Sequence, residues 1–115
     1  MGKVVLAEDQ PGLRKIASTV LSKAGFEVEA AENGLDALKK IDEIGLENVS
    51  VVLSDVDMPR MGGLKMIELL RKKPGSEHIK IVLWTSSAQR DTFLNAQEIG
   101  IDGGLATLKS TRRIR

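Results

Sequence analysis

Cysteine is absent from the 115 residues, which excludes disulfides, thiolate metal sites and cysteine nucleophiles together. Tyrosine is absent as well, and the aromatic complement is two phenylalanines and one tryptophan. Neither sign of charge dominates: 17 lysines and arginines face 16 acids, a formal net charge of +1. A chain without a basic excess lacks the electrostatic footprint of a nucleic-acid binder. No apolar run approaches the roughly 20 residues that span a bilayer, and the start of the chain has no signal-peptide pattern. No membrane partner is expected, and a cytoplasmic location is the default. The chain as a whole is 42% hydrophobic and 29% charged, a globular composition, and residues 1–115 are read as one domain with a single core.

Apolar patterning alternates between two periods along the chain. Val4-Val5-Leu6-Ala7 and Val51-Val52-Leu53-Ser54 are short continuous runs rich in β-branched residues, the pattern of strands buried on both faces of a parallel sheet. Between them, Leu13, Ile16, Ala17, Val20 and Leu21 repeat at helical spacing behind a first-turn proline, Pro11, and Gly25 ends that helix. Phe26 to Ala30 reads as the second strand and Asn33-Gly34 as a turn. Leu35, Leu38, Ile41 and Ile44 form a second helix closed by Gly45, before the third strand at Val49 to Ser54. Pro59 and Gly62-Gly63 interrupt the chain ahead of a third helix over Leu64 to Leu70, which Pro74-Gly75 stops. Ile79 to Trp84 is the fourth strand, Gln89 to Ile99 a fourth helix, and Leu105 to Leu108 a fifth strand. Strand–helix alternation of this kind implies right-handed crossovers and an α/β fold with helices on both faces.

The chemistry is concentrated at the ends of two of these strands. Glu8-Asp9 follows the first run and Asp55 follows the third. In open α/β sheets, ligands bind at the carboxyl ends of the strands, close to where strand order reverses. Carboxylates converging there repel one another unless a cation sits between them, and hard oxygen donors suit Mg²⁺. Metal-dependent phosphate chemistry is the resulting expectation. The competing reading of Glu8-Asp9 is an exposed N-terminal cap of the following helix, for which aspartate is favoured.

These residues resemble the motifs of the receiver domains of two-component response regulators. Glu8-Asp9 is similar to the family's acidic pair, and Asp55-Val56-Asp57-Met58-Pro59-Arg60-Met61-Gly62-Gly63 to its phosphoacceptor loop. Thr85, after Ile81-Val82-Leu83-Trp84, is similar to the hydroxyl residue that ends the fourth strand. The resemblance implies a flavodoxin-like doubly wound sheet of strand order 2-1-3-4-5. It implies Asp55 as a nucleophile that accepts a phosphoryl group, with Thr85 donating its hydroxyl to a phosphoryl oxygen. It further implies Mg²⁺ held directly by Asp9, through water by Glu8, by one carboxylate oxygen of Asp55 and by the backbone carbonyl of Asp57. The side chain of Asp57, two residues past the acceptor, would bias the lifetime of the phosphoryl group.

The C-terminal end departs from the family pattern. A lysine followed by proline is usual at the end of the fifth strand, shortly after a helix-ending glycine. Here Lys109 lies about two residues late after Gly100 and no proline follows. An unshifted register puts Thr107 in the lysine position, whereas a loop with two extra residues around Gly103-Gly104 puts Lys109 there. The second is favoured, because an ammonium is needed against clustered carboxylates and phosphate. No aromatic residue stands on the fifth strand. Only six residues follow Lys109, ending Arg112-Arg113-Ile114-Arg115, too few for a final helix. A missing last helix exposes apolar surface, which calls for a partner, for self-association into a homo-oligomer, or for a continuation of the chain.

The function expected is that of a signalling module without steady turnover. It takes a phosphoryl group from a histidine kinase or phosphotransfer protein and presents an altered surface to a downstream effector protein. Two rivals remain: a degenerate receiver used only for interaction, and a phosphatase, since Asp55-x-Asp57 also resembles the nucleophile and acid/base pair of haloacid-dehalogenase-like enzymes.

Overall fold

β-Branched residues cannot relax their χ1 angles easily in a helix, and the Val/Ile/Leu runs accordingly become the inner strands of one sheet. The computed structural model describes residues 2–84 and the backbone of residues 103–105. The elements run β1 (Lys3–Ala7), α1 (Pro11–Lys23), β2 (Val28–Ala31), α2 (Gly34–Ile44), β3 (Val49–Asp55), α3 (Gly63–Arg71), β4 (Lys80–Trp84) and β5 (Gly103–Leu105), with a short 3-10 turn at Leu46–Asn48. All strand pairs are parallel and the order is β2-β1-β3-β4-β5, the doubly wound arrangement expected from the sequence. Among the described residues, no helix is long and apolar enough to cross a membrane.

Strand alternation sorts the side chains between two layers. Val5, Ala7, Val52, Ile81 and Leu83 point to one side, where Ile41 of α2 and Met66, Ile67 and Leu70 of α3 complete a fully buried cluster. Leu6 and Trp84 point to the other side, where they meet Ala17 of α1, with Val28 and Leu53 partly buried around them.

Local chemistry moves several boundaries away from the sequence expectation. Asn33-Gly34, read as a turn, instead begins α2. The Asn33 side chain accepts the Asp36 N–H at 2.8 Å, and the Asp36 carboxylate accepts the Glu32 N–H at 3.1 Å. This reciprocal pair occupies backbone donors that the first turn of a helix leaves over. Gly34 is required by crowding: its N–H donates to the Met61 carbonyl at 2.8 Å, and a Cβ would stand 2.7 Å from that oxygen. Asn33 is buried, so Asn33→Ala is expected to lower stability by about 1–2 kcal/mol. Urea titration should show the midpoint falling, with Asn33→Asp close to the original.

The fifth strand also differs. It begins at Gly103, two residues ahead of the expected start. Gly103 and Gly104, read as the site of a loop insertion, pair with Val82 and Leu83 of β4. The glycines suggest a loop because they weaken strands locally, but the neighbouring strand supplies the ladder. The expected fourth helix at Gln89 to Ile99 and everything after Leu105, including the question of a final helix, lie outside the described residues.

Candidate metal and phosphoryl site

Parallel register brings the acidic residues together. Ala7 pairs with Ser54, so the next residues, Glu8 and Asp55, lie side by side at the carboxyl end of the sheet. One oxygen from each of Glu8, Asp9 and Asp55 lies within 4.8 Å of the others. Glu8 and Asp55 are buried and Asp9 is half-buried. Mg–oxygen distances near 2.0–2.1 Å place opposite ligands of an octahedral ion about 4.2 Å apart. Oxygens within 4.8 Å of one another are close to that span, which makes the cluster a candidate site for one small hard cation.

Glu8 is fixed through both main chain and side chain. Its N–H donates to Ala31 at 3.0 Å, which prolongs the β1–β2 pairing. Its Oε2 accepts the Gln10 N–H at 3.0 Å, and its carbonyl accepts from Arg14 Nη1 at 2.9 Å. The capping alternative for Asp9 is not what forms: the N-cap of α1 is Gln10, which makes no side-chain cap, and Pro11 follows.

The loop after β3 is closed by its own backbone. Gly63 N–H donates to the Val56 carbonyl at 2.9 Å and Met61 N–H to Pro59 at 2.7 Å, while Arg60 adopts a φ of 67°. The Asp57 N–H approaches Asp55 Oδ1 at 3.4 Å, and the Asp57 side chain is exposed. Asp9, Asp57, Met58 and Pro59 line an open depression of about 420 Å³ beside the acidic cluster, room for a phosphoryl group and its water. Trp84 is in register with Asp55, so β4 reaches the same end of the sheet. Thr85 itself, Thr107 and Lys109 lie outside the described residues.

A family model for the response regulator receiver domain matches residues 4–112. The chain belongs to that family. A curated relative, the transcriptional regulatory protein CpxR homolog of Haemophilus influenzae, is 32% identical over 102 residues, 89% of this chain and 42% of that protein. Sporulation initiation phosphotransferase F of Bacillus subtilis is 31% identical over 98 residues, 85% of this chain and 75% of that one. This receiver domain thus spans less than half of the first relative and three quarters of the second. Among solved structures, the chemotaxis protein CheY4 of Vibrio cholerae superimposes with a TM-score of 0.85 at 28% identity, over 100% of this chain and 99% of that one. The response regulator TrrA of Thermotoga maritima, solved in complex with Mg²⁺ and beryllofluoride, gives 0.78 at 27% identity, over 99% and 96%.

Sequence reasoning picked out the three carboxylates that cluster in this receiver and missed Arg14, which donates to the main-chain carbonyls of Glu8 and Asp9. One signal was available. A cation in the first turn of a helix opposes the helix dipole, and α1 has no acid in its first turn to offset it. An arginine in that position needs a reason elsewhere.

Proposed function

We propose that this receiver domain accepts a phosphoryl group on Asp55 from a histidine kinase or phosphotransfer protein in a Mg²⁺-dependent reaction, and signals to a downstream protein through the change. The observation that supports this most directly is the convergence of Glu8, Asp9 and Asp55 within 4.8 Å at the carboxyl end of β1 and β3. An Asp55 carboxylate oxygen attacks phosphorus while the bond to the donor's nitrogen breaks, and the donor leaves with that electron pair. When bound, Mg²⁺ neutralises charge on the phosphoryl oxygens. Asp9 and Asp55 would hold it directly, Glu8 through water and Asp57 through its backbone carbonyl. Thr85 would donate to a phosphoryl oxygen, and Lys109 would supply the ammonium. The acyl phosphate forms once per chain, so the module is not a turnover enzyme.

Mg²⁺ with beryllofluoride, which mimics an acyl phosphate, is the direct test. One equivalent is expected to bind, raising the melting temperature and changing the fluorescence of Trp84, the only tryptophan. Asp9→Ala should eliminate the response. Glu8→Gln should only weaken it, because the amide oxygen can still accept the Gln10 N–H. An unresponsive wild-type protein would point to an interaction-only receiver, and steady hydrolysis of small phosphomonoesters would point to the phosphatase.

A further inference from the structure

We infer that Arg14 is a positioning residue for the metal site: its guanidinium aligns the main chain of Glu8 and Asp9, and so preorganises them for Mg²⁺. The inference rests on the functional reading above and goes beyond it, because Arg14 lies on α1, outside the acidic motifs.

Both contacts of Arg14 are to main-chain carbonyls. Nη1 donates to Glu8 at 2.9 Å and, more weakly, approaches the Asp9 carbonyl at 3.4 Å. None of the ion pairs among the described residues includes Arg14, so surface charge pairing does not account for its placement. Glu8 already has its N–H on Ala31 and its carboxylate on the Gln10 N–H. Arg14 adds the remaining carbonyl, and its reach to Asp9 extends the restraint to the half-buried residue beyond. The guanidinium thereby ties the first turn of α1 to the two residues that follow β1. Both carbonyls are reached from the one nitrogen, Nη1, whose two N–H groups can serve one each.

Positioning and simple electrostatics predict opposite signs. Arg14 carries a positive charge beside a site for a cation. If charge were all that mattered, its removal would tighten Mg²⁺ binding. If alignment matters, its removal weakens binding, and groups that orient metal ligands typically change affinity by roughly 10–100-fold. We expect Arg14→Ala to raise the Kd for Mg²⁺ about tenfold, by the lower end of that range. Arg14→Gln, which keeps an N–H donor and loses the charge, should fall between the two proteins. Lys15→Ala removes the same charge from the neighbouring exposed position of α1 and should leave the Kd within about twofold, as expected for a screened surface charge.

The measurement is a titration with Mg²⁺ alone, followed through Trp84 fluorescence at fixed ionic strength, with thermal melting of each variant in parallel. Weaker binding by Arg14→Ala, partly restored in Arg14→Gln, supports the positioning role. An unchanged or tighter Kd overturns it, whatever happens to the melting temperature, and leaves the receiver reading intact if the wild-type protein binds. Absence of Mg²⁺ binding by the wild-type protein overturns the functional reading and this role with it.

Discussion

Treatment with a small acyl-phosphate donor and Mg²⁺ is expected to add one phosphoryl group per chain, and Asp55→Asn is expected to abolish the addition. The other carboxylates are differently committed. Glu8 is buried with its Oε2 on a backbone amide, and Asp57 extends from the loop into solvent. Asp55, buried like Glu8, ends β3 next to the loop whose residues line the open depression. Asparagine has the same shape and no nucleophilic oxygen anion, so the labelling rate should fall by about 10³-fold or more. Unfolding would not explain such a loss. Carboxylates within 4.8 Å repel by about 3 kcal/mol per ionised pair at an effective dielectric of 20, and the neutral amide relieves part of this. Asp55→Asn should therefore melt higher than wild type without metal and gain less when Mg²⁺ is added. Intact mass spectrometry reads the first effect and thermal melting the second; full labelling of the variant would remove Asp55 from its role.

The second large effect is predicted for Gly63→Ala. A Cβ at Gly63 would lie 2.2 Å from the Asp55 carbonyl oxygen, 3.1 Å from its carbon and 3.0 Å from Ser54 Oγ. Two of these three atoms are backbone, so no side-chain rotation clears the space. Either α3 backs away from β3 or the end of β3 shifts, and both open the cluster around Met66 and Ile67. A cost of about 3 kcal/mol or more follows from overpacking and lost burial. Chemical denaturation should show it, and Mg²⁺ affinity should fall too because the displaced atoms belong to Asp55. By contrast, a Cβ at Gly12 meets nothing within 4 Å, and Gly12→Ala is the matched control. Equal stability of the two variants would contradict the packing.

The legible part of this protein is the part governed by periodicity. Val4 to Ala7 and Val51 to Ser54 could be placed as buried strands; that they are neighbours, so that Glu8, Asp9 and Asp55 meet at their ends, came from the strand order that the family resemblance implies. What escaped depends on contacts between residues far apart or on main-chain acceptors. Asn33 reads as a turn former, and only the docking of Gly34 on Met61 shows that a helix begins there. Gly103-Gly104 reads as a loop because the pairing that makes it a strand comes entirely from β4. The first-turn placement of Arg14 hinted at a role, but its partners could not be read, because a carbonyl acceptor has no sequence signature; every residue carries one.

The acidic residues are mounted on β1 and β3, each of which is paired on both sides. Opening an edge such as β2 or fraying α1 leaves the β1–β3 ladder itself intact, although Glu8 then loses its hold on Ala31 or on Arg14. Local opening is the inexpensive kind of fluctuation in a folded domain, and rupture of a central ladder approaches the global unfolding free energy. The site therefore sits beside strands that are inner ones of the described sheet, while the residues around its rim, Asp57 to Arg60, belong to a loop. The strands that carry the carboxylates are expected to yield last, and the rim loop before them.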